Sequence, residues 1–176
     1  YPTGTLASMT CDAQGRPGSA NLGDSAAALV NHRKGLAIRR QIADRSPGDL
    51  EARSRLVLSL TDTAGAEDDG GRALELAQSA VVTAESLRPA GTTDVRFQRA
   101  LASAHYAMGS RLLGSGDRIR ARASFESAFP IYQAIEDSGN ADAEIRRSLA
   151  LCHKRLGAII AVEEPAQAIV HMRRAV

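Results

Sequence analysis

Small and apolar residues return at helical spacing over most of the chain, and the spacing itself repeats. One pattern places a small residue, another residue four positions on, and a small one three beyond. It occurs at Ala28, His32 and Gly35, at Ala73, Ala77 and Ala80, at Ala121, Phe125 and Ala128, and at Ala168, Met172 and Ala175. The copies start 45, 48 and 47 residues apart. A second pattern alternates with the first in "LVLSLTDTAG" (Leu56–Gly65), "LASAHYAMGS" (Leu101–Ser110) and "LALCHKRLGA" (Leu149–Ala158). Its first slot holds Leu60, His105 and His153, its second Ala64, Gly109 and Gly157, and its third Glu67, Leu112 and Ile160. Residues at i, i+3 and i+4 share one helical face. Small side chains on such a face let two helices approach closely.

The periodicity predicts helices over about 24–45, 50–64, 71–88, 94–113, 117–137, 142–162 and 166–176. "RSPGD" (Arg45–Asp49), "RPAGTTD" (Arg88–Asp94) and "DSGNAD" (Asp137–Asp142) are rich in turn residues. Gly-Asp at 23–24 and at 116–117 ends one helix and caps the next. Pro130 falls inside a predicted helix and is expected to kink it. Ala28, Ala73, Ala121 and Ala168 are expected at the closest approach to the preceding helix, with Leu29, Leu74 and Ile169 adding aliphatic cover. No strand-type alternation appears.

The second and first patterns in succession resemble the tetratricopeptide signature W-x2-L-G-x2-Y…A-x3-F, with the Trp replaced by Leu60, His105 and His153. The first copy is degenerate, because Ala64 stands for the Gly and Glu67 for the final aromatic. "NLGDSAAALVNHRKGLAIRRQIAD" (Asn21–Asp44) resembles the long tetratricopeptide repeats found behind bacterial serine/threonine protein kinase domains. "AEIRRSLALCHKRLGAII" (Ala143–Ile160) resembles the companion helix of that family. The resemblance implies an all-α fold, a right-handed α-solenoid of antiparallel helix pairs with long repeats of about 45–48 residues. A closed helical bundle is the alternative. The expected organisation is a linker or the remnant of a preceding helix at 1–20, then a repeat array over 21–176 truncated in its last helix.

Composition narrows the chemistry. Hydrophobic residues make up 44% and aromatics only 3%, so the core must be built from aliphatic side chains. A net charge of +2 gives no strong pull toward nucleic acid, although Lys34 and Lys154 are the only lysines among many arginines. Cys11 and Cys152 stand in no metal-like or disulfide spacing. No run is long and apolar enough to span a membrane. The kinase motifs are missing: there is no glycine-rich phosphate loop with a strand lysine, no H-R-D and no D-F-G.

The remaining polar candidates read as structure. His105, His153 and His32 occupy packing slots, and His171 is expected to face solvent. "EDD" (Glu67–Asp69) reads as a solvated turn, and "GSGD" (Gly114–Asp117) as a helix–helix turn rather than a phosphate cradle. No catalytic residue, cofactor or metal site is expected. What is left is a groove lined by the first helix of each pair. Thr61, Tyr106, Ser110, Lys154 and Ala158 are its candidate peptide-contacting residues, suited to an extended peptide or an acidic C-terminus. The expected function is a non-catalytic protein-interaction scaffold, the docking or sensory region of a bacterial kinase. A free-standing adaptor, or a helical small-ligand sensor or enzyme with a buried pocket, are the alternatives. The compartment is cytoplasmic, or extracytoplasmic if a membrane span lies upstream.

Overall fold

A computed structural model describes residues 24–87 and 94–175. The expected linker at 1–20 and most of the "RPAGTTD" turn lie outside the described residues. Seven helices fill the described chain: α1 (Asp24–Arg45), α2 (Leu50–Ala66), α3 (Gly70–Ser86), α4 (Val95–Gly114), α5 (Arg118–Asp137), α6 (Ala143–Ile160) and α7 (Pro165–Arg174). There is no strand among the described residues. None of these helices is long and apolar enough to cross a membrane.

Aspartate starts most of them. The carboxylates of Asp49, Asp69, Asp94, Asp117 and Asp142 each accept a backbone N–H in the first turn of α2 to α6. This satisfies donors that the helix itself leaves unpaired. Two stops are equally explicit. Gly116 and Gly139 hold φ of +87° and +74°. The Gly116 and Asp117 amides return to Leu113 and Leu112, and those of Gly139 and Asn140 to Glu136 and Ile135. That pairing needs a left-handed residue, which glycine adopts without steric cost. "GSGD" is therefore a helix–helix turn. Pro130 sits exposed within a helix that continues unbroken to Asp137.

Each helix packs against the next, and no substantial contact joins α1 to α4 through α7. The all-α fold thus has the neighbour-to-neighbour packing of a helical-repeat solenoid, not of a closed bundle. The first helices of successive pairs also meet, but unequally: α2 packs along α4, whereas α4 barely touches α6. Side-chain size accounts for the difference. Helix α3 presents Ala73, Ala77, Ala80 and Ala84, all 0% exposed, so α2 and α4 close over it. The corresponding stretch of α5 carries Phe125, Phe129 and Tyr132, whose rings hold α4 and α6 apart. Tyr132 lies buried with its hydroxyl 3.0 Å from that of Ser103 on α4.

Ion pairs tie the starts of the first helices in sequence. Arg96 of α4 reaches Glu51 of α2 at 2.9 Å, and Arg99 of α4 reaches Asp142 at 2.9 Å and Glu144 of α6. Exposed pairs of this kind contribute little each and chiefly fix register.

The repeat slots hold at the helix crossings. Ala28, Ala73, Ala121 and Ala168 are all buried. A Cβ built on Gly109 would meet three Phe125 ring atoms at 3.0 Å. One built on Gly157 would meet Met172 Cγ at 3.1 Å and the Ala168 carbonyl oxygen at 3.2 Å. Of the expected aliphatic cover, Leu29 and Leu74 are half-buried, but Ile169 is exposed. Ala168 and His171 turn toward α6, and the residue next to Ala168 is rotated by about 100° on an α-helix.

Two substitutions of the same kind should therefore have opposite signs. Gly65→Ala has open space around its new methyl and should stabilise by about 0.5–1 kcal/mol through helix propensity. Gly109→Ala drives a methyl into the fully buried Phe125 ring and should destabilise by about 1–3 kcal/mol. Urea unfolding of the two variants beside the parent chain reads both.

Candidate functional site

The five candidate groove residues fall on the first helices of the pairs. Thr61 of α2 is half-buried, and its hydroxyl donates to the Leu58 carbonyl at 2.7 Å, within its own helix. Tyr106 of α4 is half-buried, with its ring 5.5 Å from that of Phe125 and tilted by 60°. Ser110 lies one turn on, and its hydroxyl oxygen is buried without a hydrogen-bond partner. Lys154 and Ala158 are exposed and one turn apart on α6. Tyr106 with Ser110, and Lys154 with Ala158, thus form two short stripes on helices that α5 holds apart. These five residues do not line the grooves described next.

Those grooves run between the second helices. One of about 410 Å³ lies between α1 and α3 and is lined by Arg33, Arg40, Arg72, Glu75 and Leu76 over a floor that includes Glu67. Two others, of about 280 and 680 Å³, follow the α3–α5 seam and share Gln78, Met108 and Arg120. All three are open to solvent. Sequence periodicity carries no signal for them, because they arise from the spacing between helices that are not consecutive.

The histidines divide by partner. His105 borders the α3–α5 groove, 3.9 Å from Glu85; burial lowers its pKa and Glu85 opposes that shift. His32 is buried on α1, and burial lowers its pKa too. His153 is buried on α6, as its packing slot requires. His171 departs from expectation. It faces α6 rather than solvent, with its Nδ1 2.8 Å from the Nδ1 of His153. It lies one helical step beyond Ala168, on the face that Gly157 admits to close contact. No group of three or more His, Cys, Asp or Glu side chains that could hold a metal occurs among the described residues. Cys152 is fully buried, and burial pushes its thiol up to about 12, far from a reactive thiolate. No protein-family model matches the chain, and no curated protein matches it.

Charge is distributed in two ways. Arg99, Arg122 and Arg146 are engaged with carboxylates. Arg147, Lys154 and Arg155 on α6 are exposed and make no ion pair among the described residues. They add uncommitted positive charge to the exposed surface of α6.

The "EDD" turn is not simply solvated. Asp69 caps α3, and Glu67 is 7% exposed, paired with Arg33 of α1 at 2.5 Å. Glu67 occupies the slot that Leu112 and Ile160 fill in the later pairs, so α1 must supply the counter-charge. The hydrogen bond from Arg33, helped by the Asp69 amide, holds the Glu67 carboxyl below its ordinary range. A lowered carboxyl pKa contributes stability above the ordinary value and loses it as pH falls through the folded one. Glu67→Leu should therefore leave stability at pH 7 within about 1 kcal/mol of the parent or raise it, since the Arg33 end of the pair is exposed to water and an aliphatic group suits this slot. The same variant should lose less stability than the parent between pH 5 and pH 3. Thermal unfolding across that range is the check.

Proposed function

We propose that this chain is a non-catalytic protein-interaction scaffold of tetratricopeptide type, the docking or sensory region of a bacterial serine/threonine kinase. The observation that carries this reading is the fit of residue sizes to the repeat slots. Gly109 lies against Phe125, and Gly157 against Ala168 and Met172, where that family's pattern sets small against large. The first helices then present an exposed face on which the partner, an extended peptide or an acidic C-terminus, would lie. Charge supports the acidic partner, because Arg147, Lys154 and Arg155 are not engaged by carboxylates of the described chain. This stretch carries no kinase motif, so on this reading any phosphoryl transfer would belong to a separate domain. The grooves between the second helices are open, which favours a macromolecular partner over a small ligand that needs enclosure.

The face is tested without disturbing the core, because Lys154 and Ala158 are exposed. Lys154→Glu with Ala158→Glu should weaken capture of a specific acidic partner at least about tenfold, as expected when a charge that faces an interface is reversed. Arg40→Glu, in the α1–α3 groove, should leave that capture unchanged. Quantitative pull-down with mass spectrometry compares them. Equal capture by both variants would place the interaction elsewhere. A kinase domain encoded upstream of Tyr1 would support the kinase assignment, and its absence would leave the adaptor reading.

A further inference from the structure

We infer that the His153–His171 contact is a proton-operated latch, holding α7 on α6 at neutral pH and releasing it in acid. Helix α7 is short, and among the described helices it packs substantially only on α6. The close approach of Ala168 to Gly157 and the His153–His171 bond hold it there, and an ion pair from Arg122 of α5 to Glu164 anchors its start. The rings stand 5.0 Å apart between centroids, and the Phe129 ring of α5 meets both edge-on at 4.9 and 5.7 Å. His153 is 3% exposed, so its environment is set by these neighbours rather than by water.

The geometry fixes how many protons the contact tolerates. A hydrogen bond between two Nδ1 atoms needs one of them to carry the hydrogen and the other to be free. Two neutral rings satisfy this, and so does one imidazolium donating to one imidazole. Two imidazolium rings do not, since both Nδ1 atoms then carry hydrogens that point at each other. The first proton is therefore shared and the second breaks the contact, so the pair titrates as a unit in two steps.

No neighbouring group rescues the second proton. Neither ring has a carboxylate partner among the described residues. From α5 the pair is met by neutral Phe129, while Arg122 and Glu126 bind each other. Glu163 and Glu164, before α7, are engaged by Arg122. On α6 the adjacent Lys154 and Arg155 are cationic and exposed. On α7 the charged residues are Arg173 and Arg174, and Arg174 acts on both rings. Burial, with the charge of Arg174, lowers the pKa of both histidines, and His171 depresses His153 further. A histidine with a lowered folded pKa stabilises fully above the ordinary value near 6.5 and progressively less below it. The latch therefore opens on the acid side of the ordinary histidine range, as the second proton binds. Release would uncover the α6 face around Gly157 and open the array at its last described pair.

Native-state hydrogen exchange on the full chain tests this at pH 7.5 and pH 5.0, after correction for the intrinsic rate. Protection of the α7 amides should fall at least about tenfold relative to those of α2, which carries no histidine; tenfold corresponds to one pKa unit. In His171→Gln, whose amide can bond His153 in either protonation state, the α7-to-α2 ratio should fall much less, since only the burial of His153 still opposes a proton. NMR titration of the His153 and His171 ring protons should show two steps, with α7 release following the second. An unchanged ratio in the parent chain overturns the latch, as does an equal fall in His171→Gln or release that tracks neither step.

Discussion

The flat contact between Gly109 and the Phe125 ring is the interaction on which the rest of the array depends. A glycine in mid-helix costs helix stability, and α4 carries one where any side chain would strike a fully buried ring. That lets α5 lie close against α4. It also fixes the rotation of α5 about its axis, and with it the directions of Phe129 and Tyr132 one and two turns on. Phe129 is thereby delivered to the histidines of α6 and α7, and Tyr132 to the space between α4 and α6. The chain has three phenylalanines and no tryptophan, and two of the three stand in this one stretch. Sparse aromatics in an aliphatic array act as spacers: where α3 has alanine the first helices meet, and where α5 has rings they part.

This unevenness bears on function. A tight α2–α4 contact and a loose α4–α6 contact give the first-helix face a closed part and an open part. The open part is bounded by α6, whose exposed surface carries Arg147, Lys154 and Arg155. Most other arginines at helix starts are committed to carboxylates, which leaves positive charge where the wedge exposes it. On the proposed reading, local uncommitted charge of this kind would steer an acidic peptide to that surface. A proton-operated α7 beside the same helix would make the open part adjustable without disturbing α2 to α4.

Much of this was legible in the sequence, for identifiable reasons. Helix boundaries agree within two residues because the starts are written in aspartate and two stops in Ser-Gly. The packing slots were legible because a repeat compares each residue with its counterpart, so Gly109 and Gly157 stood out against Ala64. The misses involve partners distant along the chain. Glu67 reads as a turn residue until Arg33, 34 positions earlier, is placed beside it. His171 reads as surface until α7 docks closely enough for it to meet His153. The candidate groove residues fall on the first helices of the pairs, but periodicity within a helix says nothing of the distance between helices. That distance depends on Tyr132 and Phe129, which the repeat comparison passed over.

The central claim is that Gly109 and Phe125 are one packing unit, and a double-mutant cycle measures it most directly. Gly109→Ala, Phe125→Leu and the pair would be compared by urea unfolding. If the ring sets the spacing, trimming it makes room for the methyl, and the pair should cost less than the sum of the singles by about 0.5–3 kcal/mol. Additivity within about 0.3 kcal/mol would contradict the account, because contacting residues that set one crossing cannot act independently.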